Sequence, residues 1–271
     1  MDFWLFKEGE GEPYSWLPLW IDIRGMRLAI LYLVVIAGVE VVTNFFDVVG
    51  GLICHTILLT ALIVHSSLVA EDTSHKLLLA LCLAPLTRIM SLSMPLVGFP
   101  LIYWYLIIYP PLFLAAWVAM RRLNFTARET GLTVRKLPLQ LVVGLSGVIF
   151  GVGEYLILRP EPLVPELTWG KVVLAVLALG VGTGFVEEFV FRGVLQRSAV
   201  EAFGRWGVVY VSLLFAILHI GFLSGIDVAF VFAVALFFSW VVQKTGSLLG
   251  VTLSHGLTNI MLYLIVPFLL G

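Results

Sequence analysis

Two adjacent carboxylates, Glu187 and Glu188, stand in the run GFVEEFVFRGVLQR with Arg192 close behind them. They fall inside an apolar, helix-length segment from Leu174 to Ala199, where a lone charge in hydrocarbon costs at least about 2.5 kcal/mol. In a helix, Glu188 and Arg192 share one face and can pair, while Glu187 projects about 100° away and has no built-in partner. Two later segments carry polar residues at the same spacing. LLFAILHIG places Phe215 one turn from His219, and GVTLSHGLTNIM places His255 one turn from Asn259. The chemistry these types permit is hydrolysis. A glutamate in a pocket poor in water can take a proton from a water molecule, which makes Glu187 the natural base. His219 can orient that water, and His255 with Asn259 can donate hydrogen bonds to the oxyanion formed when a carbonyl is attacked. Glu188 with Arg192 then forms a supporting ion pair, and Phe215 closes the pocket against lipid or substrate.

The elements that hold such residues must be membrane helices. The chain has 271 residues, of which 61% are hydrophobic and 12% charged, with a mean hydropathy of +1.06. Soluble domains are about 45–50% apolar, so the fold class is all-α and polytopic. The 16 basic and 17 acidic residues nearly cancel, and no basic field of the kind nucleic acid requires is present. Cys54 and Cys82 both sit in apolar segments, which gives no support for a disulfide scaffold or a CxxC metal site. The first 25 residues are aromatic, acidic and broken by prolines, unlike a cleavable signal, and are expected at the interface with Trp4, Trp16 and Trp20 among the headgroups.

A span needs about 20 apolar residues, which gives roughly nine candidates, with eight equally defensible. They are Leu28 to Phe46, Leu52 to Ala70, Leu77 to Met94, Leu101 to Met120, Leu139 to Leu158, Lys171 to Val200, Trp206 to Phe222, Ile226 to Val242, and Ser247 to Leu270. Prolines make the third and fourth the weakest: Pro95 and Pro100 bracket their junction, and Pro110 with Pro111 interrupts the fourth. With the N-terminus in the cytoplasm, Arg24, Arg27, Lys76, the cluster Arg121, Arg122, Arg128, Arg135 and Lys136, then Arg197, Arg205 and Lys244 all share that side. Arg159 and Lys171 alone fall clearly outside, and this bias sets the orientation. The polar link Arg121 to Pro138 is expected to include a short surface helix. The chain divides into an interfacial segment 1–25, N-terminal spans 26–120 of unassigned role, and a core 121–271. With this topology Glu187, His219 and His255 lie about 20, 20 and 12 Å from the same side at 1.5 Å per residue, as a shared site requires.

EEFVFR, FAILH and HGLTN together resemble the EExxxR, FxxxH and HxxxN motifs of the CAAX protease and bacteriocin-processing family of intramembrane proteases, which includes the type II CAAX prenyl endopeptidases. TGSLLGVTLSHGLTN and ETGLTVRKL are similar to the family's approaches to its third motif and its first core span, so the resemblance covers about Arg128 to Ile265. It implies a helical membrane fold around a cytosol-facing conical cavity. It further implies peptide-bond hydrolysis near the C-terminus of a membrane-associated, lipidated or sorted protein. By the same resemblance Glu187 and His219 are the water-activating pair, His255 and Asn259 the oxyanion site, and Glu188 with Arg192 the accompanying ion pair. No HExxH is present, and no cofactor is expected. Glu187, His219 and His255 are the set that would hold zinc if a metal were used. The partners implied are a protein or peptide substrate and the bilayer, in the plasma or inner membrane if the source is bacterial or archaeal. Rival classes are a non-catalytic scaffold or immunity protein of the same fold, and a proton-coupled transporter, against which the absence of an internal repeat speaks. Plainer roles are expected elsewhere: packing for His55 and His65, an interhelical hydrogen bond for Glu40 unless it lines a cavity or pairs with Arg88, close helix contact for Gly180 and Gly184, and an aromatic belt for Tyr103 to Tyr109.

Overall fold

In a bilayer core every backbone polar group must be satisfied within the chain, and apolar runs therefore become helices. The computed structural model describes residues 23–69 and 74–270. Trp4, Trp16 and Trp20 of the expected interfacial segment lie outside them. The helices are α1 (Ile23–Phe45), α2 (Val48–Leu68), α3 (Ser74–Leu81), α4 (Leu83–Val97), α5 (Leu101–Arg122), α6 (Leu137–Leu158), α7 (Trp169–Leu177), α8 (Gln196–Phe203), α9 (Trp206–Ile217), α10 (Gly225–Thr245), α11 (Leu249–Ile260) and α12 (Val266–Leu270). There is no strand among the described residues. Among the described residues eight helical stretches are long and apolar enough to cross a membrane, and Trp206–Phe222 is a shorter apolar helix, which accounts for the ambiguity between eight and nine. Both proline-marked spans form. α3 and α4 meet end to end at Cys82 as one stretch, Ser74–Pro95, and α5 carries Pro110 and Pro111 inside it. The chain is an integral, multi-pass membrane protein.

The sixth stretch, Trp169–Phe203, carries the paired glutamates and is not the regular α-helix that the spacing suggested. α7 passes into π-helix over Ala178–Glu187, and a second π-helical run, Phe189–Leu195, leads into α8. A π-helix closes i→i+5 hydrogen bonds and is uncommon outside functional sites. Gly180, Gly182 and Gly184 lie in this run, where the lack of side chains weakens the competing α geometry. The wider turn changes the bearing of Glu187 relative to Glu188, yet the Glu188–Arg192 pair survives it.

Small residues let the core helices touch. A methyl group at Gly147 of α6 would stand 2.2 Å from the Ser254 carbonyl oxygen of α11. One at Gly184 would stand 2.9 Å from Gly256, and one at Gly256 would stand 3.0 Å from Gly180 Cα, so Gly180 and Gly184 do mark a close crossing. These approaches bring α6 and the stretch that carries Glu187 and Glu188 against the His255 helix.

Among the N-terminal spans, Glu40 of α1 is fully buried and accepts two hydrogen bonds from Arg88 of α4, at 2.6 Å from Nε and 2.8 Å from Nη2. Asn44 donates to the same carboxylate at 3.1 Å, and His55 Nε2 lies 3.2 Å from it. His65 meets the Tyr32 hydroxyl at 2.8 Å. Cys54 and Cys82 are both free thiols.

The Arg121 to Pro138 link contains turns rather than the expected surface helix. Thr126 and Glu129 cap one another reciprocally, at 2.9 Å from Thr126 N to Glu129 Oε2 and 3.2 Å from Glu129 N to Thr126 Oγ1. The turn so begun is ended by Gly131, whose φ of 76° is left-handed, and Lys136, at φ 52°, resets the chain for α6. Ties hold the link in place: Leu248 N donates to Gly131 O at 2.9 Å, Thr133 Oγ1 to Gly246 O at 2.8 Å, and Ser247 Oγ to Thr133 O at 2.6 Å. Arg197 pairs with Glu129 at 3.2 Å and with Glu201 at 3.4 Å, and Lys76 also pairs with Glu201. One end of the bundle is thus a connected basic face.

Candidate functional site

The depth agreement read from the sequence corresponds to a lateral meeting. Glu187, Arg192, Phe215, His219, His255 and Asn259 all line one cavity of about 160 Å³. It lies among α5, α6, the π-helical stretch, α9, α10 and α11.

Glu188 is the fixed member of the glutamate pair. It is wholly buried, and its Oε1 accepts from Arg192 Nη1 at 2.9 Å and from His255 Nδ1 at 2.7 Å. Arg192 is itself buried, with its guanidinium 4.4 Å above the Phe215 ring and 5.8 Å from that of Phe238. Phe215 is a spacer at the centre of the site. Its ring meets His219 at 4.6 Å, His255 edge-on at 6.0 Å and Phe191 edge-on at 4.9 Å, so the two histidines flank it.

Glu187 is the carboxylate left facing the cavity. Its Oε2 stands 3.8 Å from His255 Nε2, and its Oε1 accepts a 2.5 Å hydrogen bond from the Tyr109 hydroxyl. His255 therefore bridges the two glutamates, one ring nitrogen to each. His219 ends α9, and its Nδ1 lies 2.8 Å from the Phe215 carbonyl oxygen. A carbonyl only accepts, so Nδ1 carries the proton and Nε2 is left with a lone pair. Among the described residues no hydrogen bond joins His219 to Glu187. Asn259 donates from Nδ2 to Thr183 Oγ1 at 2.8 Å, and Thr183 donates in turn to Leu179 O at 2.5 Å. The amide is thereby oriented, with its second N–H unused.

Two tyrosines correct the aromatic-belt expectation. Tyr103 is exposed and fits a belt, but Tyr105 and Tyr109 stack on one another at 5.9 Å and line the cavity. Their i, i+4 spacing was the available signal: it places both hydroxyls on one helix face, whereas a belt needs no face. Thr183 and Glu154 also line the cavity. Thr183 had no signal of its own, because it acts by holding Asn259. Among the described residues, no group of three or more His, Cys, Asp or Glu side chains could hold a metal ion, so the zinc set Glu187, His219 and His255 shares a cavity without being clustered as ligands.

What this site can do is protonate, deprotonate and hold an oxyanion in a small cavity at membrane depth, which is the equipment of an acyl-group hydrolase. Neither a curated protein nor a solved structure matches the chain. Residues 168–261 match the family model described as Type II CAAX prenyl endopeptidase Rce1-like. That stretch carries Glu187, Glu188, Arg192, Phe215, His219, His255 and Asn259, so the part of the chain that holds these cavity residues is similar to the CAAX protease family of membrane proteins.

Proposed function

We propose that the chain is an intramembrane endopeptidase in which Glu187 activates the attacking water. The observation that carries this is the division of labour between adjacent carboxylates: Glu188 is consumed by Arg192 and His255, while Glu187 faces the cavity beside His255 and Tyr109.

In this mechanism a water molecule between Glu187 and His219 gives one proton towards the Glu187 carboxylate. The His219 Nε2 lone pair accepts its other hydrogen and aims the oxygen. As the water oxygen attacks the scissile carbonyl, the carbonyl oxygen gains charge and accepts the free N–H of Asn259, with His255 Nε2 on the same wall. The proton held by Glu187 passes to the departing amine, giving one new carboxyl terminus and one new amino terminus. Phe215 packs the Arg192 guanidinium against its ring face. Of the described N-terminal spans, α5 supplies Tyr105 and Tyr109 to the cavity. The reaction is proposed as metal-free, and the N-terminus as cytoplasmic.

The test compares membrane-protein termini by mass spectrometry in native cells expressing the wild-type chain and Glu187→Ala at equal levels. A terminus that depends on the wild type is expected, with Glu187→Ala and His219→Ala each losing about 10²–10⁴-fold in cleavage while still inserting in the membrane. Cleavage retained by Glu187→Ala would remove the mechanism. Dialysis against a metal chelator is expected to leave cleavage unchanged. Loss reversed by added zinc would replace the glutamate mechanism with a metal-dependent one.

A further inference from the structure

The cavity carries a second open carboxylate that the hydrolytic reading leaves unused. Glu154 of α6 lines it and is only 8% exposed. Among the described residues it has neither a hydrogen-bond nor an ion-pair partner, and a buried carboxylate without one is costly. Its oxygens are not among the side-chain atoms sealed in the packing, so they face the cavity. The positive groups of the lining are already engaged: Arg192 by Glu188, and His255 by both glutamates of the motif. Asp227, at the start of α10, adds to the imbalance. It is wholly buried, neither of its carboxylate oxygens is hydrogen-bonded, and it lies within electrostatic range of Glu154.

Helix register fixes where Glu154 stands relative to the reacting carbonyl. α6 and α11 run parallel: Ser146 Oγ meets Ser254 Oγ at 3.0 Å, and a methyl group at Gly151 would stand 2.5 Å from the Thr258 carbonyl oxygen. Residues of α6 are therefore level with residues 108 further along the chain. On that offset His255 and Asn259 are level with Gly147 and Gly151, and Glu154 stands beyond them by about 10 and 5 Å at 1.5 Å per residue. An extended peptide spans about 3.3 Å per residue, so one lying along the cavity brings a side chain about two residues from that carbonyl to Glu154. Aromatic surface flanks the position. Tyr263 is within electrostatic range of Glu154, and a methyl group at Gly153 would stand 3.5 Å from the Phe230 ring. A carboxylate among aromatic rings is an environment that holds an ammonium or a guanidinium.

We propose that Glu154 is a specificity-determining residue that binds a Lys or Arg side chain of the substrate, about two residues from the bond cleaved. The bound cation answers a carboxylate that no group of the described protein answers. Glu154 precedes the stretch that matches the family model, so the preference belongs to this chain's own cavity wall. The position relative to a scissile bond rests on the proteolytic reading above; the cation site does not.

The full chain in lipid nanodiscs tests it with quenched-fluorescent peptides, in which one Lys is moved position by position through an otherwise uncharged sequence. Each peptide has a twin with norleucine in place of Lys, which keeps the chain and removes the ammonium. A charge-assisted pair is worth about 10–100-fold, and at one position kcat/KM for the Lys peptide is expected to exceed that of its twin by that factor. In Glu154→Gln the ratio should fall towards unity, and Glu154→Asp should restore part of it. A ratio unchanged in Glu154→Gln would overturn the proposal, as would norleucine cleaved as well as Lys at every position. Fluorescence anisotropy of the same peptides on Glu187→Ala separates this from the protease reading. A preference for Lys in binding that disappears when Glu154→Gln is added, with no peptide cut by the wild type, would keep the cation site and remove the protease reading. Equal binding of both twins with and without Glu154→Gln would overturn the site whatever is cleaved.

Discussion

The molecule holds two buried clusters of nearly identical composition, and they differ in what they leave open. In the N-terminal spans Glu40 is met by Arg88, His55 and Asn44; in the core Glu188 is met by Arg192 and His255, with Asn259 one turn further on. Both carboxylates are fully buried. The Glu40 cluster closes on itself, because every group in it answers the one carboxylate and none lines the cavity. The core cluster has one carboxylate too many. Glu187 leaves an uncommitted acceptor facing a cavity, shared with a histidine whose other nitrogen is already fixed. A buried Glu–Arg–His set is thus not by itself a mark of catalysis; on the reading proposed above, the mark is a second carboxylate left at a cavity wall.

Removing one partner from each cluster separates these roles and gives the largest expected effect on stability. Arg88→Ala and Arg192→Ala each leave a buried carboxylate unpaired, and each is expected to lower stability by about 3–5 kcal/mol. Thermal melts of purified protein in detergent check the shared part. Cleavage per folded molecule checks the difference: it should fall sharply in Arg192→Ala, where His255 loses its fixed partner, and stay near wild type in Arg88→Ala. Equal loss of cleavage in both would show that the two clusters form a single functional unit.

Much of this was legible in the chain. The motif residues converge because their depths, counted from shared membrane ends, agree, and depth follows from span order and a fixed rise per residue. The Glu188–Arg192 pair was legible because i, i+4 partners need only a helix. What was hidden depended on lateral packing. The i, i+4 spacing put Tyr105 and Tyr109 on one face of α5 but not that face towards the core, so Tyr109 read as part of a belt although its hydroxyl meets Glu187. The π-helical winding was hidden too, since a local widening leaves the apolar pattern intact. The turn at Thr126 to Gly131 carried a capping box in its sequence, but the glycine that ends it after a single turn outweighed it.

Tyr109 sharpens the comparison further, because nothing like it stands beside Glu40. Tyr109→Phe removes one hydroxyl and keeps the ring stacked on Tyr105. A hydrogen bond to a charged group is worth about 1.5–3 kcal/mol, so cleavage should drop by about ten-fold or more if the bond acts in the transition state. Expression and melting temperature should stay close to wild type, because the cavity lets water replace the lost donor. Unchanged cleavage would make Tyr109 a wall of the cavity and nothing more.

The smallest expected effect comes from a third carboxylate, Glu129, outside the membrane-spanning helices. Partial burial alone would push its carboxyl up, but the Thr126 backbone N–H and hydroxyl, and then Arg197, outweigh burial and hold it below its ordinary value of 4.5. A depressed carboxyl contributes stability above its unfolded value and loses it as pH falls through the folded one. Acidification from neutral pH through the carboxylate range should therefore destabilise the wild type more than Glu129→Gln. The difference should be at most about 1 kcal/mol, since Glu129 is 37% exposed and solvent screens the pair. Identical pH profiles of melting temperature would show that the backbone ties from Gly131 and Thr133 hold this link without the ion pair. The basic end of the molecule would then owe its order to packing and backbone ties, in contrast to the Glu40 cluster, which is held by polar pairing.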